Sequence, residues 1–203
     1  MSYICNLFTN KKFSEKVKII LQNHKFDFIN KITIGRYSLP YILMTSLKVL
    51  SLNQIEQRMK SQEINKLYHV FLIIETVSGE KFLLEKNEKI NLVKNPTLNI
   101  KNEYFPIPII PSNLTLKILL DNTKMLMGKH KFFNYDAYEN DCQDFTISCL
   151  TSNKICDAKY DDFIKQKTDP LFNESLKNNC EFFIDIAVVK DKIEEQFNSI
   201  VLS

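Results

Sequence analysis

The run Leu67–Val93 constrains the fold more than any other part of the chain. Leu67–Val77 is rich in Val, Ile and Phe, residues that suit a pleated and packed surface. Ser78-Gly79-Glu80 is a turn signal, and Lys81–Glu85 and Ile90–Val93 resume the strand pattern beyond it. This predicts a meander of two or three antiparallel strands.

Helical patterns flank that meander. Val17, Ile20 and Leu21 repeat at helical spacing behind Ser14, a candidate N-cap, with a loop or short strand following to residue 34. Gly35 marks a turn. Pro40 opens a second stripe, Ile42, Leu43, Leu47 and Leu50, which predicts a helix over 40–60; residues 53–66 are polar and read as exposed. Pro96, Pro106, Pro108 and Pro111 exclude helix over 96–111 and leave Tyr104–Ile110 as an edge strand or an extended crossing segment. Leu114–Met127 reads as helix with Asn113 as cap, and Lys129–Tyr135 as a short strand or loop. Further helices are expected from Asp141 to about Asn153, over Tyr160–Gln166, and over Phe182–Ile200, where Ile186, Val189, Ile193 and Phe197 are in phase. The expected class is α+β, with an N-terminal helical segment over 1–60 and the strand-bearing domain over 61–203.

Composition narrows the function classes. A hydrophobic content of 44% supports a real core, filled by fifteen Phe and eight Tyr in the absence of Trp. Three glycines in 203 residues leave no glycine-rich phosphate loop. The net charge is +3 and the lysines are scattered, which argues against a nucleic-acid partner. Lysine outnumbers arginine 25 to 2, which reads as the codon bias of an AT-rich genome. The five cysteines, at 5, 142, 149, 156 and 180, are odd in number and irregular, and the first twenty residues lack the apolar core of a secretory leader. Free thiols and a cytoplasmic location are expected. Cys142, Cys149 and Cys156 are spaced by seven, but without a CxxC pair or a nearby His they predict neither a metal nor any other cofactor. The longest apolar run, Leu39–Leu52, is interrupted by Pro40, Thr45, Ser46, Lys48 and Ser51, too short and too polar for a transmembrane segment. Its stripe suits packing on its own domain, or a membrane surface.

The stretch Tyr138–Leu150 carries the chemistry. It opens polar, then places Phe145 and Cys149 at helical spacing. Cys142 then falls in the first turn, where unpaired backbone N–H groups and the positive end of the helix dipole favour a thiolate. His69 opens the strand-like run upstream. A helix-borne Cys and a strand-borne His are the minimum parts of a thiol nucleophile site.

Several short motifs occur in order: Ile34-Gly35-Arg36, Leu50-Ser51-Leu52, Leu67-Tyr68-His69-Val70-Phe71-Leu72, Leu84-Glu85-Lys86-Asn87-Glu88-Lys89-Ile90, Asn140-Asp141-Cys142-Gln143-Asp144-Phe145 and Phe163-Ile164-Lys165-Gln166. Over roughly residues 30–190 the set resembles uncharacterised proteins of large DNA viruses and phages with a circularly permuted papain-like fold. These are similar to NlpC-type and lecithin:retinol acyltransferase-like thiol enzymes, in which the His-bearing sheet precedes the Cys-bearing helix. The resemblance implies a small antiparallel sheet packed on the Cys-bearing helix. It also implies Cys142 as nucleophile, His69 as general base and Glu85 as the group that orients the imidazole. The strand alternation is compatible with that assignment: His69, Phe71 and Ile73 share one parity, and Leu83 and Glu85 share a face across the hairpin. The chain departs from the pattern at Asp141, where a second Asn is usual, and at Lys89, where an apolar residue usually follows the acid; the usual glycine-rich tail is absent.

The implied reaction is attack by the Cys142 thiolate on an amide or (thio)ester carbonyl of a peptide or lipid-acyl substrate. The Cys142 backbone N–H, with Gln143 or Asn140, would hold the oxyanion. Asp141 and Asp144 flank the thiol and oppose its ionisation, although acids in a first helical turn also serve as caps. The alternative is a catalytically inactive relative serving as a structural, virion or interaction protein, with a virion or host protein as partner and the host cytoplasm or virion as its location.

Overall fold

The Val-, Ile- and Phe-rich run forms the centre of a five-stranded antiparallel sheet in a computed structural model that describes residues 13–39, 54–61, 63–135 and 140–166. The elements are α1 (Glu15–His24), β1 (Ile29–Ser38), α2 (Gln54–Ser61), β2 (Tyr68–Thr76), β3 (Lys81–Lys86), β4 (Ile90–Lys94), β5 (Glu103–Ile107), α3 (Leu116–Phe133), α4 (Cys142–Ser152) and α5 (Ala158–Ile164). The strand order is β4-β3-β2-β1-β5, and the class is α+β. The described residues within 13–37 and 69–165 make one compact unit; those within 38–68, with Gln166, belong to a second. The second contains α2 and the start of β2, where the Gln166 amide accepts from Tyr68 N–H (2.8 Å) and donates to the Lys66 carbonyl (2.8 Å).

In the first unit, the β2–β3 hairpin turns at Gly79, whose φ of 86° suits a residue without a side chain. Its register places Phe71 opposite Glu85 and Ile73 opposite Leu83. Of the two forms left open for the proline-bearing segment, the edge strand is the one observed: β5 is an edge of the sheet, with Pro106 opposite Thr33 of β1, where a missing N–H is tolerated. The ten-residue β1 lies between β2 and β5 in the middle of the sheet, although its residues fall before the boundary at 60.

Strand β2 is buried on both faces. Val70, Leu72 and Ile74 join Phe82, Leu84 and Leu92 from the neighbouring strands and Val17, Leu119, Phe132, Phe145 and Cys149 from α1, α3 and α4 in one core. Each such side chain contributes roughly 1.5–3 kcal/mol when fully buried. His69, Phe71 and Ile73 alternate to the other face. There the Phe71 ring fills the space above Gly35, close enough that a Cβ at Gly35 would stand 2.3 Å from it. Gly35 therefore does not mark a turn; it lies inside β1 because an aromatic ring occupies the place of its side chain.

Helix α1 begins behind Ser14, whose Oγ accepts from Val17 N–H at 3.3 Å. Helix α3 starts behind Thr115 rather than Asn113, with the Thr115 hydroxyl accepting from Ile118 N–H. It breaks just past Met127, where Gly128 leaves helical geometry (φ 73°, ψ 153°); a second helical stretch then runs to Phe133, so residues 129–133 are neither strand nor loop. The resumption buries Phe132 completely. Of the helix expected over 40–60, residues 54–60 are described and helical; the rest of it, and the helix expected over 182–200, lie outside the described residues. Among the described residues no helix is long and apolar enough to cross a membrane.

Candidate active site

Helix α4 starts where the sequence places a cap. Asp141 Oδ1 accepts from the N–H groups of Gln143 (2.7 Å) and Asp144 (3.0 Å), and the Asp144 carboxylate accepts from Asp141 N–H (3.4 Å), a reciprocal capping box. Cys142 is thereby the first helical residue, with a backbone N–H that has no acceptor within the helix. Burial, with the Asp144 charge beside it, raises the Asp141 carboxyl above its ordinary value.

Three strands deliver the partners of that thiol to one end of the sheet. His69 is the second residue of β2, Glu85 the fifth of β3 and Tyr37 the ninth of β1. His69 Nε2 donates to Glu85 Oε2 at 3.0 Å, and the Cys142 thiol lies close enough to the imidazole to bear on its ionisation. With Nε2 engaged by the carboxylate, Nδ1 is the nitrogen left for sulfur. Glu85 Oε1 accepts long hydrogen bonds from Asn87 (3.4 Å) and Asn91 (3.5 Å). His69 is buried to 7% residual exposure, and Glu85 is half-buried. Burial works against a charged imidazole, but the hydrogen bonds and negative charges of Cys142 and Glu85 outweigh it and push the His69 pKa up to about 10. Burial likewise opposes ionisation of Glu85, and the hydrogen bond and charge of His69, with the two asparagine amides, hold its carboxyl below the ordinary value.

Cys142, His69 and Glu85 are thus brought together. The hairpin register explains how. Glu85 stands opposite Phe71, so it shares a face with Phe71 and is the diagonal neighbour of His69. That face is not the one that carries the α1–α3–α4 core; thiol and imidazole meet where the first residue of α4 comes to the end of the sheet.

The other expected residues are placed differently. Asn140 is buried and donates both amide protons to carbonyls, of Lys131 (2.7 Å) and Asn134 (2.6 Å) at the end of α3, while its Oδ1 accepts from Lys86 Nζ (3.0 Å). Gln143 is buried in the first turn of α4, with its backbone N–H on the cap. Cys149 packs in the core, its thiol pushed up to about 12 by burial, and Cys156 is exposed. His24 is half-buried, bonds Asp27 at 2.8 Å and sits beside Lys94 Nζ. Among the described residues no three His, Cys, Asp or Glu side chains gather as metal ligands would.

Two site residues escaped the sequence reading. The Tyr37 ring lies 5.1 Å from the imidazole and 5.9 Å from Phe71, and its hydroxyl pKa is raised by burial and by the negative charges of Glu85 and Cys142. Its signal was parity with Gly35 on β1, readable only once β1 is known to pair with β2. Lys86 is completely buried beside Asn140 and Phe145. A lysine within an alternating strand pattern, at a core-facing position, was its signal.

Chemically, the arrangement supplies a thiol at a helix N-terminus, an imidazole that can take its proton, and a carboxylate that fixes the imidazole and stabilises its charged form. Comparisons of the chain with protein-family models, with curated proteins and with solved structures returned no match.

Proposed function

We propose that the chain is a cysteine-dependent hydrolase or acyltransferase of viral origin with a circularly permuted papain-like fold, acting on an amide or (thio)ester bond. The observation that carries the reading is a single buried imidazole that is hydrogen-bonded to the Glu85 carboxylate and has the Cys142 thiol as a neighbour. The His-bearing strand precedes the Cys-bearing helix, the order of the permuted enzymes.

In this reading His69 holds the thiol proton as imidazolium while the Cys142 thiolate attacks the carbonyl carbon. The oxyanion receives the Cys142 N–H, with Gln143 as the second donor, since the Asn140 amide protons are already committed. The imidazolium then gives its proton to the leaving amine, alcohol or thiol, and a thioester remains on Cys142. Water, or an acceptor nucleophile in acyl transfer, loses its proton to His69 and releases the acyl group. Peptide and lipid-acyl substrates both satisfy this chemistry.

Burial favours a second reading. Cys142 is only 5% exposed, which suits a catalytically inactive relative serving as a structural or virion component that binds a viral or host protein. An acyl-donor panel of peptide amides, esters and thioesters separates the two. Turnover, or a thioester mass adduct, that is lost in Cys142→Ala supports the enzyme; neither product from any donor supports the structural protein.

A further inference from the structure

The side chain of Lys86 has no part in the proton transfers above, yet among the described residues it is one of the most thoroughly buried. Its ammonium donates to the Lys131 carbonyl at 2.7 Å and to Asn140 Oδ1 at 3.0 Å, and it lies 5.8 Å from the Phe145 ring centre. Asn140 in turn donates to the Lys131 and Asn134 carbonyls. Four hydrogen bonds thus tie β3, the C-terminal end of α3 and the residue two places before Cys142. A buried ammonium is costly unless its hydrogen bonds are made. An apolar side chain would fill this position at lower cost if filling were its only role.

We infer that Lys86 is a positioning residue for the Cys142 thiol, acting through Asn140, so that adjacent residues of one strand hold both halves of the thiol–imidazole pair. This rests on the thiol–imidazole reading above. Successive residues of a strand face opposite sides. Glu85 reaches His69 from one side of β3, and Lys86 reaches the approach to Cys142 from the other. Burial pulls the Lys86 pKa down to about 8, against the negative charges of Asp141 and Asp144, which favour its ammonium form; the Cys149 and Cys142 thiols are the other titratable groups beside it.

The test is the pH profile of iodoacetamide labelling at Cys142, read by mass spectrometry on the full chain. It compares wild type, His69→Ala, Lys86→Met, Asn140→Leu and the Lys86→Met/Asn140→Leu double variant, with melting curves to score the folded fraction. The expected result is that both single variants slow labelling roughly ten- to a hundredfold per folded molecule. Their profiles should move toward that of His69→Ala, and the double variant should be no slower than either single, because the two side chains act as one unit. Should Lys86→Met fail to melt cooperatively, Lys86→Gln takes its place in the same comparison. If only the lysine variant slows labelling, Lys86 acts as a charge and not through Asn140, and the inference is overturned. A wild-type profile retained in both single variants overturns it while leaving the thiol–imidazole pair intact. A wild type that already labels like His69→Ala removes the pair itself, and the inference with it.

Discussion

Glu85 stands directly opposite Phe71 and hydrogen-bonds the imidazole of His69, two residues along the same strand, at 3.0 Å. The contact is a diagonal cross-strand pair in a buried setting, so it belongs both to the sheet and to the site. Glu85→Gln is predicted to lower stability by about 1.5–3 kcal/mol, the range for a hydrogen bond to a charged group. The sign with pH follows from the two shifts. His69 has a folded pKa near 10, above its unfolded value near 6.5, so its share is complete below about 6.5 and is lost as pH rises toward about 10. Glu85 is shifted down, so its share is present above its ordinary value and lost as pH falls through the lowered one. Urea unfolding of wild type and variant across pH should show the largest difference between about 4.5 and 6.5. A difference that does not vary with pH would rule out the ion pair.

Gly35→Ala is predicted to destabilise the fold by about 1–3 kcal/mol, because its Cβ would meet the Phe71 ring at 2.3 Å. Phe71→Leu in the same chain should recover part of that loss. Chemical denaturation of the four members of this cycle measures the coupling. Strict additivity would mean that the ring is not held over the glycine.

Asp141→Asn tests the acids beside the thiol. Asparagine caps a helix as well as aspartate does, so stability should hold within about 0.5 kcal/mol, whereas Asp141→Ala should cost about 1 kcal/mol. Removing the carboxylate charge should also speed alkylation of Cys142 at neutral pH. Unchanged or slower alkylation in a stable Asp141→Asn protein would show that the charge does not oppose the thiolate.

The remaining described thiols provide internal controls. Cys156 is exposed and should alkylate without denaturant, whereas Cys149, buried in the core with its ionisation suppressed, should react only on unfolding. Peptide-level mass spectrometry over a urea series separates them. Early modification of Cys149 would contradict the packing of α4.

The local parts of this structure were legible in the sequence and the long-range ones were not. The β2–β3 hairpin, its turn at Gly79, the Ser14 and Asp141 caps and the edge position of β5 follow from turn chemistry, capping and proline, all of which act over a few residues. Cys142 and His69 stand out in the sequence through their motifs, and Glu85 through its strand parity with His69 across the hairpin. Gly35 was misread because its reason is a ring thirty-six positions along the chain. The break at Gly128 matches the helix end expected at Met127, whereas the helical turn beyond it leaves no periodic trace because it is anchored mainly by Phe132 in the core. Tyr37 and Lys86 needed the β1–β2 pairing and the α3–β3 contact, neither of which leaves a periodic trace.

The central claim is tested most directly by the pH dependence of iodoacetamide labelling at Cys142 in wild type and His69→Ala. The account predicts that wild type reaches half its limiting rate well below the pH of a free thiol, about 8.5, and that the midpoint rises when His69 is removed. A midpoint at or above that of a free thiol, unchanged in His69→Ala, would contradict a working thiol–imidazole pair.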